Sequence, residues 1–284
     1  MIEEMPSKTA QRVALRRAAH QLLDHPPVFD DPLAVAIIGG EDASLLRSEP
    51  ERFESSGSRH LRAFVAARSR FAEDELALAI QRGVRQYVVL GAGLDTFAYR
   101  NPFRSSNLHV FEVDHPATQA WKRRQLADAG IPAPFPVTFI PTDFEKQTLS
   151  DALQRSDFNA RQPAFFSWLG VTPYLTLEAT LDTLCFIAGR PAGSGVAFDY
   201  AVERSLLSPM EQMALDALAS RVARAGEPFQ LLLQPEALMG MLRALGFRHI
   251  EDLGPKEIEV RYFENRTDGL CIAAGLAHLV SARP

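Results

Sequence analysis

The spacing of apolar positions changes partway along the chain. From Thr9 to Leu23, the residues Val13, Leu15, Ala18, Ala19, Leu22 and Leu23 form a rough helical face, which Asp24-His25-Pro26-Pro27 ends. Pro32 to Ile38 reads as a short helix closed by Gly39-Gly40. Arg59 to Arg82 reads as a longer one with Gly83 at its C-terminal end. No convincing strand precedes Tyr87. Short apolar runs then follow at Tyr87 to Leu90, His109 to Asp114, Val137 to Ile140, Ala164 to Val171 and Gly195 to Tyr200. Helical stretches separate them at Ala117 to Gly130, Leu177 to Ile187 and Leu206 to Ala225. Strands alternating with helices predict an α/β fold, a parallel sheet covered on both faces. At the end, Pro235 to Leu245 is amphipathic. His249 to Leu253 and Gly269 to Ala277 read as two strands joined by a loop. The expectation is a seven-stranded, mostly parallel sheet with its last strand antiparallel, plus a helical cap. The cap is an arm over residues 1–82, and the body, residues 83–284, carries a further cap segment at about 202–232.

Composition narrows the class only a little. The 284 residues are 46% hydrophobic and 23% charged, as in ordinary globular proteins. A net charge of −5 argues against a nucleic-acid partner. No apolar run approaches the ~20 residues of a membrane helix. Met1 to Pro6 has neither the basic region nor the apolar stretch of a secretory leader. A soluble, cytoplasmic protein without a membrane partner is expected. Cys185 and Cys271 are too few for a disulfide framework or a four-thiolate zinc site, and their apolar surroundings read as burial. The seven histidines show no metal-ligand spacing, so no metal is expected. The cluster Arg12, Arg16 and Arg17 reads as a solvated helix face. Oligomeric state is not legible.

Candidate chemistry sits at the carboxyl ends of the first three predicted strands. Leu90-Gly91-Ala92-Gly93-Leu94-Asp95-Thr96 is a glycine loop, where backbone can approach a ligand closely. By itself it is weak evidence, and reads as a tight turn somewhat more readily than as a cofactor loop. It lacks the third glycine of a dinucleotide fingerprint and the Lys-Ser/Thr of a P-loop, which disfavours pyrophosphate. Asp114, ending Phe111-Glu112-Val113-Asp114, can accept both hydroxyls of a ribose. In Thr142-Asp143-Phe144-Glu145, an acid can accept from an adenine amino group and Phe144 can pack on the ring, although Asp143 could equally cap the next helix. Ligands of open α/β sheets bind in such a crevice. Ser167 lacks the Gly-x-Ser-x-Gly context of a hydrolase nucleophile. Trp168 and Tyr174 could line an acceptor pocket or pack in the core.

Val89-Leu-Gly-Ala-Gly-Leu-Asp-Thr-Phe-Ala-Tyr-Arg100 resembles the first motif of the leucine carboxyl methyltransferase family, enzymes that use S-adenosylmethionine (SAM). Phe111-Glu-Val-Asp-His-Pro116 and Pro141-Thr-Asp-Phe144 resemble its next two motifs. Thr9-Ala10, Arg17-Ala18, Phe29-Asp-Asp-Pro-Leu-Ala34 and Ala66-Ala-Arg-Ser-Arg70 resemble its bacterial branch. The resemblance runs from about Thr9 to Ala274. It implies a Rossmann-like class I methyltransferase fold, with SAM as cofactor and S-adenosylhomocysteine (SAH) as product. It also implies that Gly91, Ala92 and Gly93 approach the methionine part and that Arg68 pairs with its carboxylate, Arg70 being the rival. Asp114, with His115 beside it, would hold the ribose. Thr142, Asp143 and Phe144 would hold the adenine. Ser167-Trp-Leu-Gly-Val-Thr-Pro-Tyr-Leu175 departs from the family's fourth motif, because Leu169 stands where an acid is usual.

The implied activity is O-methylation of a small-molecule carboxylate or hydroxyl. A carboxylate needs no base. A hydroxyl would need one, and His115, Tyr174 and Tyr200 are the weak candidates. Leu169 leaves room for a non-catalytic SAM- or SAH-binding protein. An NAD-dependent oxidoreductase is the remaining alternative, against which the missing third glycine weighs.

Overall fold

In a computed structural model, which describes residues 6–132, 136–144, 146–272 and 275–284, apolar runs pair into one sheet. Its strands are β1 (Gln86–Leu90), β2 (His109–Asp114), β3 (Val137–Pro141), β4 (Ala164–Trp168), β5 (Gly195–Ala201), β6 (His249–Leu253) and β7 (Ala277–Arg283). Their order is β3-β2-β1-β4-β5-β7-β6. Strands β1 to β5 pair in parallel; β7 runs antiparallel to both β5 and β6. The order reverses beside β1, between β2 and β4, and that switch point opens the crevice at the strands' carboxyl ends.

Helices α1 (Lys8–Leu23), α2 (Ala34–Ile37), α3 (Gly40–Ser48) and α4 (Ser56–Gln81) precede the sheet. Helices α5 (Phe97–Arg100), α6 (Pro116–Asp128), α7 (Leu149–Gln154) and α8 (Leu177–Ala188) connect the parallel strands. Helices α9 (Pro209–Ala223) and α10 (Pro235–Ala244) follow β5, and α11 (Pro255–Tyr262) follows β6. Alternation along each strand splits the interior into two cores. Tyr87, Val89, Val110 and Phe165 face one core with α1 and α4 residues such as Ala18, Ala67 and Phe71. Val88, Phe111, Phe166 and Phe198 face the other with Leu153, Leu184, Ile187 and Leu242.

Four expectations are corrected. The segment between the last two strands is helical: Pro255 sits at the first helical position behind Gly254, where its missing N–H costs nothing. The last strand begins only at Ala277, past the apolar stretch of 269–276, whose residues 273 and 274 lie outside the described residues. Cys185 is exposed, because α8 buries Thr180, Thr183, Leu184 and Ile187 instead, and Cys271 is half-buried. Strand β4 also ends at Trp168, three residues short of Val171, because Gly170 turns the chain at φ +70°.

Buried charge pins the N-terminal helices. Arg62 on α4 donates from Nε and Nη2 to Asp24, each at 2.7 Å. His20 bonds Asp24 through Nδ1 at 2.8 Å, and its Nε2 accepts from Val28 N at 2.9 Å. Burial by itself would raise the Asp24 carboxyl, but the bonds from His20 and Arg62 outweigh it and hold it below its ordinary value.

Candidate functional site

The glycine loop turns back on β2. Gly91 N donates to Val113 O at 2.8 Å and Gly93 N to Asp114 Oδ2 at 2.5 Å. Gly91 has φ +66°, and a Cβ there would overlap Val171 Cγ2, so only glycine fits. Asp114 also accepts from His115 N through Oδ1 at 2.6 Å. A carboxylate offers about four lone-pair directions, so two remain beyond these donors, and Asp114 lines the crevice. Burial pushes the Asp114 carboxyl above its ordinary value, against the two backbone donors.

A cavity of about 440 Å³ lies over these groups. It is lined by Arg68, Gly91, Ala92, Gly93, Asp114, His115, Thr142, Asp143 and Phe144, so the structure gathers every cofactor candidate of the sequence on one wall system. Thr142 N donates to Asp114 O at 2.8 Å, joining the acidic strand end to the next loop. Asp143 lies 3.3 Å from Lys146 Nζ. Glu145 lies outside the described residues. Arg68 is buried and its Nη1 donates to Asp199 Oδ2 at 3.2 Å, while Gly170 N donates to Asp199 Oδ1 at 2.5 Å. A Cβ at Gly170 would come within 2.7 Å of both terminal nitrogens of Arg68. Arg70 points away and pairs with Asp74. The turn at Leu169 and Gly170 thus meets the arginine through backbone and through Asp199.

The three weak base candidates separate. His115 caps α6: its Nδ1 accepts from Ala117 N at 3.3 Å, which places the proton of the neutral ring on Nε2 and leaves no free lone pair. Tyr174 lines the cavity, and burial pushes its hydroxyl up to about 12, so it is a phenol at neutral pH. Tyr200 lines no part of the crevice. Its hydroxyl bonds Asp252 at 3.1 Å and His278 at 3.2 Å on the other face of β5. Trp168 is core, tilted against Phe198, whereas Tyr174 packs on Phe229.

A second cavity, of about 620 Å³, adjoins the first and shares Thr9, Val13, Arg68, Gly170 and Tyr174 with it. Helices α1, α4 and α9 enclose it. The bond from Gln230 N to Pro173 O at 2.7 Å fastens the loop after α9 over the junction.

Sequence reasoning missed Asp199 and the role of α1. Asp199 is a single acid inside the apolar run Val196 to Ala201, and that interruption was the available signal. Arg17 was read as solvated, yet it is buried. It bonds Leu94 O at 2.5 Å and pairs with Asp31 at 2.9 Å, while Thr96 Oγ1 donates to Asp31 at 2.7 Å. Arg17 thereby ties the arm to the glycine loop, a long-range contact that no local pattern carries.

By family and by relative, the chain is a SAM-dependent methyltransferase. The sequence model of the leucine carboxyl methyltransferase family matches residues 10–188, and the chain belongs to that family. A Bacillus subtilis relative, named "Putative S-adenosyl-L-methionine-dependent methyltransferase YktD", is 32% identical over 93% of each chain. A crystal structure of a "putative methyltransferase" from Thermobifida fusca superposes with a TM-score of 0.60 over 99% of this chain and 95% of that one, at 16% identity. A DUF574 family protein from Streptomyces avermitilis gives 0.59 over 100% and 99%, at 14% identity. These two likenesses speak to the fold alone.

Proposed function

We propose that the enzyme O-methylates a small-molecule carboxylate or hydroxyl that enters through the second cavity. The observation that carries this reading is the shared wall: Arg68, Gly170 and Tyr174 face both cavities, so cofactor and acceptor would meet there. The residues fit the cofactor. Asp114 keeps two acceptor directions for the ribose hydroxyls. Thr142, Asp143 and Phe144 would flank the adenine. Gly91 to Gly93 leave room for the methionine chain, and Arg68 would pair with its carboxylate. When bound, SAM supplies an electrophilic methyl on a sulfonium and departs as neutral SAH. The protein's share is alignment and exclusion of water. None of His115, Tyr174 and Tyr200 is poised as a base, which favours a carboxylate or an acidic hydroxyl as acceptor. In the same proposal, residues 1–82 and the cap segment at about 202–232 select the acceptor. The net charge of −5 fits an enzyme of small molecules better than one acting on nucleic acid.

Calorimetric titration with SAM, SAH and NAD tests the cofactor placement. Micromolar binding of the first two and none of NAD is expected. Failure of both sulfur nucleosides to bind would overturn the assignment.

A further inference from the structure

The second cavity carries an unusual charge. Its walls are largely apolar, with Leu61, Phe64, Leu215 and Phe229 among them. Arg12, Arg16 and Arg221 line it too. Arg12 and Arg16 lie one turn apart on α1, and Arg221 comes from the last turn of α9. Arg16 Nη1 donates to Arg12 O at 3.0 Å, and Arg12 Nη1 reaches Arg221 O at 3.5 Å, so the three form one cluster. Among the described residues none of the three has an ion-pair partner. The carboxylate that lines the cavity, Asp199, is already bonded to Arg68 and Gly170 N. The Nε of Arg16 is buried with no hydrogen-bond partner. Burial, together with Arg221, Arg12 and Arg68, pulls the Arg16 guanidinium down to about 10. Arg12 and Arg16 are half-buried and Arg221 lies at the exposed rim, so the cost of crowding falls on Arg16, whose buried Nε lacks a partner, and an anion held among the three would remove it.

We infer that Arg12, Arg16 and Arg221 form an anchoring subsite for an acid group on the methyl acceptor, an amphipathic organic anion whose apolar body lies along Leu61 and Phe64. The inference rests on the proposed entry of the acceptor through this cavity. The anchored group is not the one that is methylated. A guanidinium fork draws electron density from the oxyanion it holds and weakens it as a nucleophile. The reacting oxygen must also approach the transferred methyl to about 3–3.5 Å, which places it at the junction beside Gly170 and Tyr174. The acceptor class is therefore a molecule with two functional ends: a fixed anion at the arginines and a nucleophilic oxygen at the junction.

The test compares 6-phenylhexanoate with 6-phenylhexanamide, which share the apolar body and differ in charge. Calorimetry on the wild-type protein, without cofactor, is expected to show the acid binding at least tenfold more tightly. In Arg221→Gln, an exposed position whose loss spares the fold, the preference should fall severalfold. In the triple variant Arg12→Gln/Arg16→Gln/Arg221→Gln it should vanish. SAH affinity, titrated in parallel, should stay within twofold in Arg221→Gln, because Arg221 does not line the cofactor cavity. Equal binding of acid and amide by the wild type would overturn the subsite, as would a preference that survives the triple variant. Loss of SAH binding in the wild type would strike the cofactor assignment instead, which the acid–amide comparison does not require.

Discussion

Asp114 concentrates the chemistry of the crevice in one side chain. Two backbone N–H groups hold its carboxylate in place, and burial raises its pKa. Asp114→Ala should weaken SAH binding by about 1–3 kcal/mol, the scale of a hydrogen bond to a charged group. The pH dependence has a definite sign. Lowering the pH through the raised value of Asp114, above the ordinary 3.8, protonates it and removes the acceptor the ribose needs. SAH affinity should therefore fall toward acid in the wild type and stay flatter in Asp114→Asn, as read by calorimetry across that range. Identical profiles would remove Asp114 from the ribose. This residue was legible in the sequence, because a strand-end acid after a glycine loop is a local pattern. Asp199 was not, since its partners Arg68 and Gly170 come from other elements.

Helix α1 matters more than its sequence implied. Its buried Arg17 pairs with Asp31 and holds Leu94 O, so the arm and the glycine loop are one unit. Arg17→Met leaves Asp31 buried with a charge partner removed, and should destabilise the protein by about 3–5 kcal/mol in urea unfolding. It should also weaken SAH binding, which a purely structural arm would not require. The Asp24 cluster gives the arm an acid limit. Because the folded pKa of Asp24 is depressed, its contribution is complete above the unfolded value near 3.8 and is lost as pH falls below it. The stability gap between wild type and Asp24→Asn should be constant from about pH 5 to 8 and close below about 4.

At the scale of the whole molecule, one crevice joins the sheet, the N-terminal helices and the segment after β5. A ligand that touches all three should stabilise them together. SAH at one hundred times its dissociation constant should add about 2.7 kcal/mol to stability. For a protein of this size that is a rise of several degrees in Tm. NAD should give none, and a shift with NAD equal to that with SAH would break the specificity argued from the glycine loop.

The sequence by itself determined the α/β class, the sheet with its antiparallel last strand, the glycine loop and the acidic strand ends. Each of these is written in local periodicity or in residues a few positions apart. Its motifs also sufficed to suggest the family. The tertiary structure decided which of Arg68 and Arg70 faces the crevice, that Tyr200 lies outside it, and that α11 fills the gap before β7. It alone brought Arg17 to the glycine loop, Asp199 to Arg68, and Arg12 and Arg16 to Arg221. Side chains from distant elements meet only when two cores and a sheet have been packed, and no period along the chain encodes that meeting.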